Sequence, residues 1–283
     1  MSIFLNSELA PSERTEDALF HVLPLPLERT VSYGAGTGAG PAAILEASNE
    51  LERLCLGFEP CEHGIFTHEA MACDGPLSAV MSRISSHTET IVKAGKIPVT
   101  IGGEHSLTYG AVSGVMRALN QPVGIIQIDA HADLRIAYQG EKHSHASVMH
   151  LLSEEHDIRL AQFGVRALCA QEAESRASNN VFFVDAEDLV TKGLHAIDLP
   201  KDFPDLVYVS YDVDGLDPSQ MPATGTPVPG GLSYYQSLHL VENALKGRKC
   251  VGIDVVELAP NGDETWDFTA AQIVYRLMAA AIS

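Results

Sequence analysis

The stretch Ile125-Ile126-Gln127-Ile128-Asp129-Ala130-His131-Ala132-Asp133 is a short apolar run that ends in Asp-x-His-x-Asp. Side chains of a strand alternate between its two faces, so Asp129, His131 and Asp133 would emerge on one face. They would lie at the carboxyl end of a buried strand, where ligands of open α/β sheets bind. Two carboxylates and an imidazole buried together need a compensating charge, commonly a metal cation. The stretch therefore predicts a metal site; an acidic turn that caps the next helix is the alternative.

The rest of the chain alternates between segments with strand character and segments with helix character. Besides the run before Asp129, strands are predicted at residues 18–27, 97–101, 159–165, 180–184, 206–212 and 249–255. The prolines of segment 18–27 suit an edge strand. Helices are predicted at residues 41–56, 77–94, 106–119, 146–155, 170–178, 185–192, 233–246 and 268–282. This alternation, without a linker-like segment or an internal repeat, predicts an α/β fold with one parallel sheet between helices, in a single domain over residues 1–283.

Charge and composition argue against several classes of protein. The 283 residues carry a formal net charge of -19, whereas nucleic acids and anionic membranes select basic patches. We therefore expect neither of these partners, and the charge suits a small cationic substrate or divalent metals. Residues 1–17 lack the apolar core of a signal peptide, and no apolar run approaches membrane-spanning length. Five cysteines without a Cys-x-x-Cys pair indicate reduced thiols in a cytoplasmic protein.

Other predicted strands end in polar residues of the same kinds. His105 follows 97–101, Asp212 and Asp214 end the strand at 206–212, and Glu257 follows 249–255. Two histidines and four carboxylates form a ligand set for two divalent ions with bridging carboxylates: His105, Asp129, His131, Asp133, Asp212 and Asp214. Mixed oxygen and nitrogen ligands suit Mn²⁺ better than a thiolate-preferring metal. Because two close metal ions lower the pKa of water between them, the set predicts metal-assisted hydrolysis. Helix caps and solvated turns at all these strand ends would require a coincidence.

Several motifs resemble, in the same order, those of the ureohydrolase family, whose members include arginase and agmatinase. The motifs are Gly102-Gly103-Glu104-His105-Ser106, Asp129-Ala130-His131-Ala132-Asp133, Ser144-His145-Ala146-Ser147 and the segments 210–218, 222–231 and 254–257. The resemblance extends from about Gly34 to the C-terminus. It implies a three-layer α/β/α fold with a central, mainly parallel sheet, and hydrolysis of a guanidinium compound to urea and an amine. It also implies two Mn²⁺ per subunit and a homo-oligomer, either a trimer or a hexamer.

The resemblance assigns a role to each predicted site residue. One metal would be bound by His105, Asp129, Asp133 and Asp212, and the other by Asp129, His131, Asp212 and Asp214, so that Asp129 and Asp212 bridge the two ions. His145 matches the family's active-site histidine, which transfers a proton to the leaving amine. Glu257 matches the carboxylate that binds the substrate guanidinium. A carboxylate and a guanidinium can form two parallel hydrogen bonds, which suits this role. The predicted catalytic residues are therefore Asp129, His145 and Glu257.

Two departures from arginase predict the substrate. Arginases bind the α-carboxylate of arginine through a loop that bears Asn and Ser; this chain has residues 134–143 there instead. Arginases bind the α-amino group through an acidic residue, and the corresponding residue of this chain is Cys169. A site without these anchors would not repay the desolvation of a zwitterionic tail. We therefore expect agmatine, which lacks the α-carboxylate, as the substrate. The products would be urea and putrescine, which places the reaction in polyamine biosynthesis.

Arg135 leaves the recognition of the substrate tail open. If it faces the pocket, it favours an acidic tail such as that of 4-guanidinobutyrate; a salt bridge to Glu141 or a contact with the loop backbone is the alternative. Arginine is the less favoured substrate. A non-catalytic protein of the same fold that binds polyamines or metals is a hypothesis from a different class. Urea release that stays at background with Mn²⁺ supplied would support it.

Overall fold

The computed structural model describes residues 2–156, 158–179 and 181–283, so Asn180 of the predicted strand 180–184 lies outside the described residues. The strands are β1 (Phe20–Leu25), β2 (Ile65–Thr67), β3 (Ile97–Gly102), β4 (Gly124–Ile128), β5 (Arg159–Phe163), β6 (Phe182–Val184), β7 (Leu206–Asp212) and β8 (Lys249–Val256). Within the described residues they form one eight-stranded sheet in the order β2-β1-β3-β8-β7-β4-β5-β6. Every neighbouring pair is parallel, which confirms the predicted α/β class.

Helices cover both faces of the sheet. They are α1 (Gly40–Ala47), α2 (Leu77–Lys93), α3 (Leu107–Leu119), α4 (Val148–His156), α5 (Ala170–Ser178), α6 (Ala186–Thr191), α7 (Tyr234–Leu245) and α8 (Glu264–Ala280). Ile126 and Ile128 of β4 belong to a buried cluster with Leu240 of α7, whereas Ile125 belongs to another with Val112 of α3. Because alternate residues of one strand enter different cores, the sheet is the middle of three layers. Among the described helices, none is both long and apolar enough to cross a membrane.

Strand β1 is not the edge strand that its prolines predicted. It pairs with β2 on one side and with β3 on the other. The carbonyl groups of Val22 and Pro24 face the β2 side, where they accept hydrogen bonds from the N–H groups of His68 and Met71. Since β2 pairs only as far as Val22, the missing N–H of Pro24 lies beyond the end of β2. A proline is tolerated there because no ladder bond requires its donor.

Helix α1 is shorter than the predicted helix 41–56. It ends at Ala47 and is followed by a 3-10 turn at Ser48–Glu50. The Ser48 hydroxyl donates to the Leu45 carbonyl (2.7 Å), and the Asn49 amide donates to the same carbonyl (3.2 Å). Side chains that bond to nearby carbonyls compete with the helical backbone pattern, and the chain becomes extended at Leu51.

Two other elements differ from the prediction. The three-residue strand β2 lies in the segment 57–76, for which no regular structure was predicted, and it is too short for its alternation to be recognised. Helix α8 begins at Glu264 rather than at residue 268. Its start is set by Asp263, whose side chain accepts a hydrogen bond from the Thr265 N–H (3.0 Å) and thereby caps the helix.

Four neighbouring strands bring the predicted site residues to one edge of the sheet. Strands β3, β8, β7 and β4 are adjacent, and in a parallel sheet their carboxyl ends meet at the same edge. Residues at or directly after these four ends are His105, Glu257, Asp212 with Asp214, and the segment from Asp129 to Asp133, respectively.

Candidate metal centre

His105 is surrounded by buried carboxylates. Its Nδ1 lies 2.9 Å from an oxygen of Asp133, 3.2 Å from one of Asp129 and 3.4 Å from one of Asp212. All four residues are buried, and Asp129 has no exposed surface. Three acidic groups this close together repel one another strongly in a buried site of low dielectric constant.

A second group lies beside the first. Nδ1 of His131 is 3.0 Å from Asp214 Oδ2 and 3.6 Å from Asp129 Oδ1. The ligand atoms of His131, Asp129 and Asp214 lie within 4.8 Å of one another, as do those of His105, Asp129 and Asp212. Asp129 belongs to both groups, as expected of a bridging ligand, and Asp212 belongs to the His105 group. The structure thus brings all six predicted ligands together.

The hydrogen bonds around His105 show that the donor set fits a cation. The Ser210 hydroxyl donates to Asp254 (2.8 Å) and lies 2.9 Å from Nε2 of His105. Because that hydroxyl has one hydrogen, it accepts from Nε2–H, and Nδ1 of the neutral ring keeps its lone pair. Among the described residues Nδ1 has no hydrogen-bond partner of acceptable geometry, although it is buried. A lone pair directed at three carboxylates is unfavourable unless a cation, either a proton or a metal ion, lies between them.

Unusual backbone conformations orient two of the site residues. Asp133 and Glu257 have φ values of 53° and 67°, which are uncommon for residues other than glycine. The Glu257 N–H donates to the Gly103 carbonyl (2.8 Å), and a Cβ atom on Gly103 would overlap the carbonyl of Leu27. Such conformations persist only where the surrounding structure holds them, and they concentrate at functional sites.

The side chain of Arg166, in the sequence Gly164-Val165-Arg166, supports the turn that contains Asp214. Its Nη2 donates to the carbonyl of Asp214 (2.8 Å) and to that of Leu216 (3.0 Å), and its Nε donates to the carbonyl of Val228 (2.9 Å). A guanidinium with several donors in a rigid plane is well suited to join three chain segments in this way.

A cavity of about 410 Å³ opens above the two groups. His145 and Glu257 line it together with most of the metal-ligand candidates. Glu257 Oε1 accepts a hydrogen bond from the His105 N–H (2.6 Å), which fixes the carboxylate beside the ligand cluster. The rest of the lining includes Ser32, Arg135, Tyr138, Cys169 and Glu172.

Comparison with known proteins identifies the family to which the chain belongs. A model of the Arginase family matches residues 18–280. The chain belongs to the arginase family. It is 36% identical to the N(1)-aminopropylagmatine ureohydrolase of Synechocystis sp., over 97% of this chain and 92% of that protein, and 32% identical to the agmatinase of Pyrococcus horikoshii, over 94% and 93%. The agmatine ureohydrolase of Thermoplasma volcanium matches with a TM-score of 0.84 and 28% identity, over 99% of this chain and 94% of that one.

Membership of the arginase family confirms the predicted resemblance and the predicted class of enzyme. This arginase-family chain is a ureohydrolase, which is an amidinohydrolase. The family is typically metal-dependent, and the two ligand clusters agree with that property. The roles of the individual site residues stay predictions at this point.

The charges in the site of this arginase-family enzyme are balanced by protons when no cation is bound. Burial and, to a smaller extent, the neighbouring Asp129 carboxylate raise the pKa of Asp133 to about 7. Burial lowers the pKa of His131, but the carboxylates of Asp214 and Asp129 outweigh it and raise that pKa to about 12. Burial also raises the pKa of Glu257, to about 8.

Addition of Mn²⁺ to the metal-free enzyme at neutral pH is expected to release about one proton or more per chain. Ligation requires a neutral imidazole and an ionised carboxylate, whereas the raised pKa values of His131 and Asp133 keep protons on these groups. Isothermal titration calorimetry in two buffers with different ionisation enthalpies measures the number of protons. Equal binding heats in the two buffers would contradict the expectation.

Glu172 is a cavity residue that the sequence analysis missed. It is buried, and its oxygens accept hydrogen bonds from the Cys169 N–H (2.8 Å) and the Leu134 N–H (3.2 Å). The spacing Cys169-x-x-Glu172 at the start of α5 is that of a capping box and could have indicated it. Arg135 lines the cavity, and its Nε lies 3.9 Å from Glu172. The predicted acidic neighbour of Arg135, Glu141, instead accepts from the His143 N–H.

Proposed function

We propose that this enzyme hydrolyses the guanidinium group of agmatine to urea and putrescine, with two Mn²⁺ ions in the predicted ligand set. The observation that supports this most is the common cavity: two clusters of imidazole and carboxylate ligands, Glu257 and His145 all line or underlie a single space of about 410 Å³. The carboxylate-rich set, without a cysteine ligand, favours Mn²⁺ over a thiolate-preferring metal.

The residues of the chain divide the chemistry among them. Divalent ions in this set would lower the pKa of water and so supply a nucleophile near neutral pH. Glu257 binds the guanidinium with a charge-assisted, bidentate pair and holds its carbon above the ligand clusters. Asp129 is oriented by the Gln127 amide (2.7 Å) and the His131 N–H (2.6 Å), which both donate to it.

His145 transfers the proton that the leaving amine requires. Burial lowers the pKa of His145, whereas the nearby Glu104 carboxylate opposes that shift. The imidazole is therefore neutral near pH 7, so that it accepts a proton from water and returns it to the departing nitrogen. The ring packs against Tyr138 with an edge-to-face geometry, at 5.5 Å between centroids.

The outer part of the cavity supports a substrate without an α-carboxylate. The position at which arginases have an acid for the α-amino group is Cys169. Arg135, the one Lys or Arg residue among the described residues of the lining, lies next to the Glu172 carboxylate. The pair of Arg135 and Glu172 is long and partly exposed, so it is weak, but it still offsets part of the positive charge of Arg135. An acidic tail such as that of 4-guanidinobutyrate therefore gains less from Arg135 than it would from an unpaired guanidinium.

N(1)-aminopropylagmatine is the second candidate substrate. The Synechocystis relative has it in its name, and it is agmatine with an aminopropyl extension. The extension adds a cationic nitrogen to the tail, and the cavity lining includes the Glu172 carboxylate and the Tyr138 ring. Carboxylates and aromatic faces both attract ammonium groups.

The experiment is urea release by the Mn²⁺-loaded enzyme with agmatine, N(1)-aminopropylagmatine, 4-guanidinobutyrate and arginine at equal concentration. We expect turnover of the first two, and kcat/KM for arginine lower by about 10³-fold or more, because its α-carboxylate and α-amino group would lose hydration without new partners. Preference for arginine would contradict the argument from the missing anchors. Urea release at background with all four compounds would favour a binding protein of the same fold.

The variant Arg135→Ala distinguishes the two kinds of tail within that experiment. If Arg135 pairs with an acidic tail, the variant raises KM for 4-guanidinobutyrate strongly and leaves that for agmatine unchanged. We instead expect little change in KM for 4-guanidinobutyrate and a lower KM for agmatine, because the variant removes the cation that competes with the ammonium tail for the Glu172 carboxylate.

A further inference from the structure

A fully buried carboxylate lies two hydrogen bonds away from the ring of His145. Oε2 of Glu104 accepts from the N–H groups of Arg29 (2.5 Å) and Thr30 (2.6 Å). Oε1 accepts from the hydroxyls of Thr30 (2.9 Å) and Ser106 (2.5 Å). Glu104 has no exposed surface. Four donors converge on its two oxygens, which is the environment of a carboxylate that only accepts hydrogen bonds.

Thr30 joins this carboxylate to both the backbone and the ring of His145. Its Oγ1 accepts from the His145 N–H (3.0 Å) and lies 3.1 Å from the ring Nδ1. A hydroxyl has one hydrogen and two acceptor positions. The hydrogen is donated to Glu104, and one acceptor position is filled by the His145 backbone. The remaining acceptor position therefore receives a hydrogen from Nδ1–H.

The reverse arrangement is unfavourable for a physical reason. If Thr30 donated to Nδ1 of His145, its oxygen lone pairs would face the Glu104 carboxylate at 2.9 Å. That contact would lie in a site without water to screen it, since Glu104 is fully buried. The carboxylate would also lose one of its donors, although nothing in the site replaces it.

We infer that Thr30 and Glu104 are positioning residues that hold His145 as its Nδ1–H tautomer and make Nε2 the atom that transfers the proton. This inference rests on the proposed role of His145. The neutral ring presents the Nε2 lone pair to the cavity that His145 lines. Nε2 accepts a proton from water and returns it to the leaving nitrogen, so the ring ends the cycle neutral. While the ring is cationic, Nδ1–H stays bonded to Thr30, whose hydrogen stays on the Glu104 side.

Thr30 is the position at which the inference is best tested, because Glu104 is adjacent to the metal-ligand candidate His105. The variant Thr30→Val keeps the shape and removes the hydroxyl. We expect it to lower kcat by about 10- to 100-fold, a part of what general acid–base catalysis contributes, with KM changed by less than about twofold. Thr30→Ser, which restores the hydroxyl, is expected to recover most of kcat.

Thr37→Val is the matched control. Thr37 is also buried, but within the part of the chain that the structure describes its hydroxyl has no hydrogen-bond partner. We expect this variant to keep the kcat of the unmodified enzyme. A kcat of Thr30→Val equal to that of the unmodified enzyme, or no recovery in Thr30→Ser, would overturn the inference.

Neutron diffraction from deuterated, Mn²⁺-loaded crystals at mildly alkaline pH locates the protons independently of activity. We expect deuterium on Nδ1 of His145 and the Thr30 deuteron directed at Glu104. Deuterium on Nε2 alone, with Thr30 directed at Nδ1, would refute the tautomer. Absence of urea release by the unmodified enzyme would refute the proposed function instead, while the proton positions would still decide the tautomer.

Discussion

Replacement of Asp212 by asparagine is expected to lower kcat by about 10⁴-fold, since the loss of a charged ligand removes several kcal/mol of metal-assisted stabilisation. The change is nearly isosteric, and the asparagine oxygen still accepts the Asp214 N–H, which donates to Asp212 Oδ1 at 2.8 Å. What disappears is the negative charge 3.4 Å from His105 Nδ1. Urea release at saturating agmatine and Mn²⁺ binding by calorimetry measure the two effects.

The same variant is expected to raise the free energy of unfolding of the metal-free protein at neutral pH. Burial raises the pKa of Asp212 well above its usual value, and the carboxylates of Asp214 and Asp129 add to this shift. A carboxyl group whose pKa is higher in the folded than in the unfolded state lowers stability at every pH above the unfolded value. Thermal denaturation without metal should therefore show a higher Tm for Asp212→Asn, and with Mn²⁺ a lower one.

Asp217→Asn is the matched control from the same motif. Asp217 accepts hydrogen bonds from the Ser219 hydroxyl (2.6 Å) and from the N–H groups of Gly230 (2.9 Å) and Gly231 (3.1 Å). These bonds lower its pKa to about 2, so its contribution to stability is lost only as the pH falls toward that value. We expect this variant to lose about 1 kcal/mol of stability and to keep its kcat. Equal activity of the two variants would contradict a role of Asp212 in metal binding.

The clustering of the predicted ligands could be anticipated because the information is local. Each ligand lies within a few residues of an apolar strand, and strand ends in a parallel sheet meet at one edge. Asp129, His131 and Asp133 show the principle: they directly follow an apolar run, and this is visible in nine residues of sequence, although β4 ends at Ile128 and strand alternation does not extend over them. The pairing order of the strands was not needed for the prediction, since any adjacent placement brings these ends together.

The residues around the ligands could not be predicted because their contacts join distant segments. Thr30 bonds to Glu104 and to His145, which are 74 and 115 residues away. A threonine after a strand has no local pattern that indicates such partners. The edge position of β1 was predicted wrongly because it also depends on a contact with another segment. Pro24 lacks an N–H only on the side of β2, and the pairing of β2 with β1 ends at Val22, before this proline.

The candidate metal site lowers the free energy of unfolding of the ligand-free protein, and a bound ligand is expected to raise it. Asp133 and Glu257 have uncommon backbone conformations, and burial raises the pKa of each carboxyl. Both features destabilise the protein alone and favour a bound cation or guanidinium, which restores the charge balance. A site of this kind is expected to become more stable as ligands bind.

Glu257→Gln is expected to lower kcat/KM for agmatine by about 10²- to 10³-fold. The glutamine keeps the shape and accepts the His105 N–H, which donates to Glu257 Oε1 at 2.6 Å, but it cannot supply the charge opposite the guanidinium. Truncation of a buried, hydrogen-bonded charge pair costs about 2–5 kcal/mol, which agrees with this range. Steady-state kinetics with agmatine measure the change.

Mn²⁺ affinity distinguishes this variant from Asp212→Asn. Because Glu257 is proposed to bind the substrate and not the metal, the variant should keep its Mn²⁺ affinity within about threefold, whereas Asp212→Asn should not. Glu28→Gln is the matched control, since Glu28 also follows a strand end and accepts the N–H groups of Gly36 and Gly38 (2.8 Å each). It should retain full kcat/KM. If Glu257→Gln lost Mn²⁺ together with activity, the carboxylate would be part of the metal site, and guanidinium recognition would have to come from another residue of the cavity.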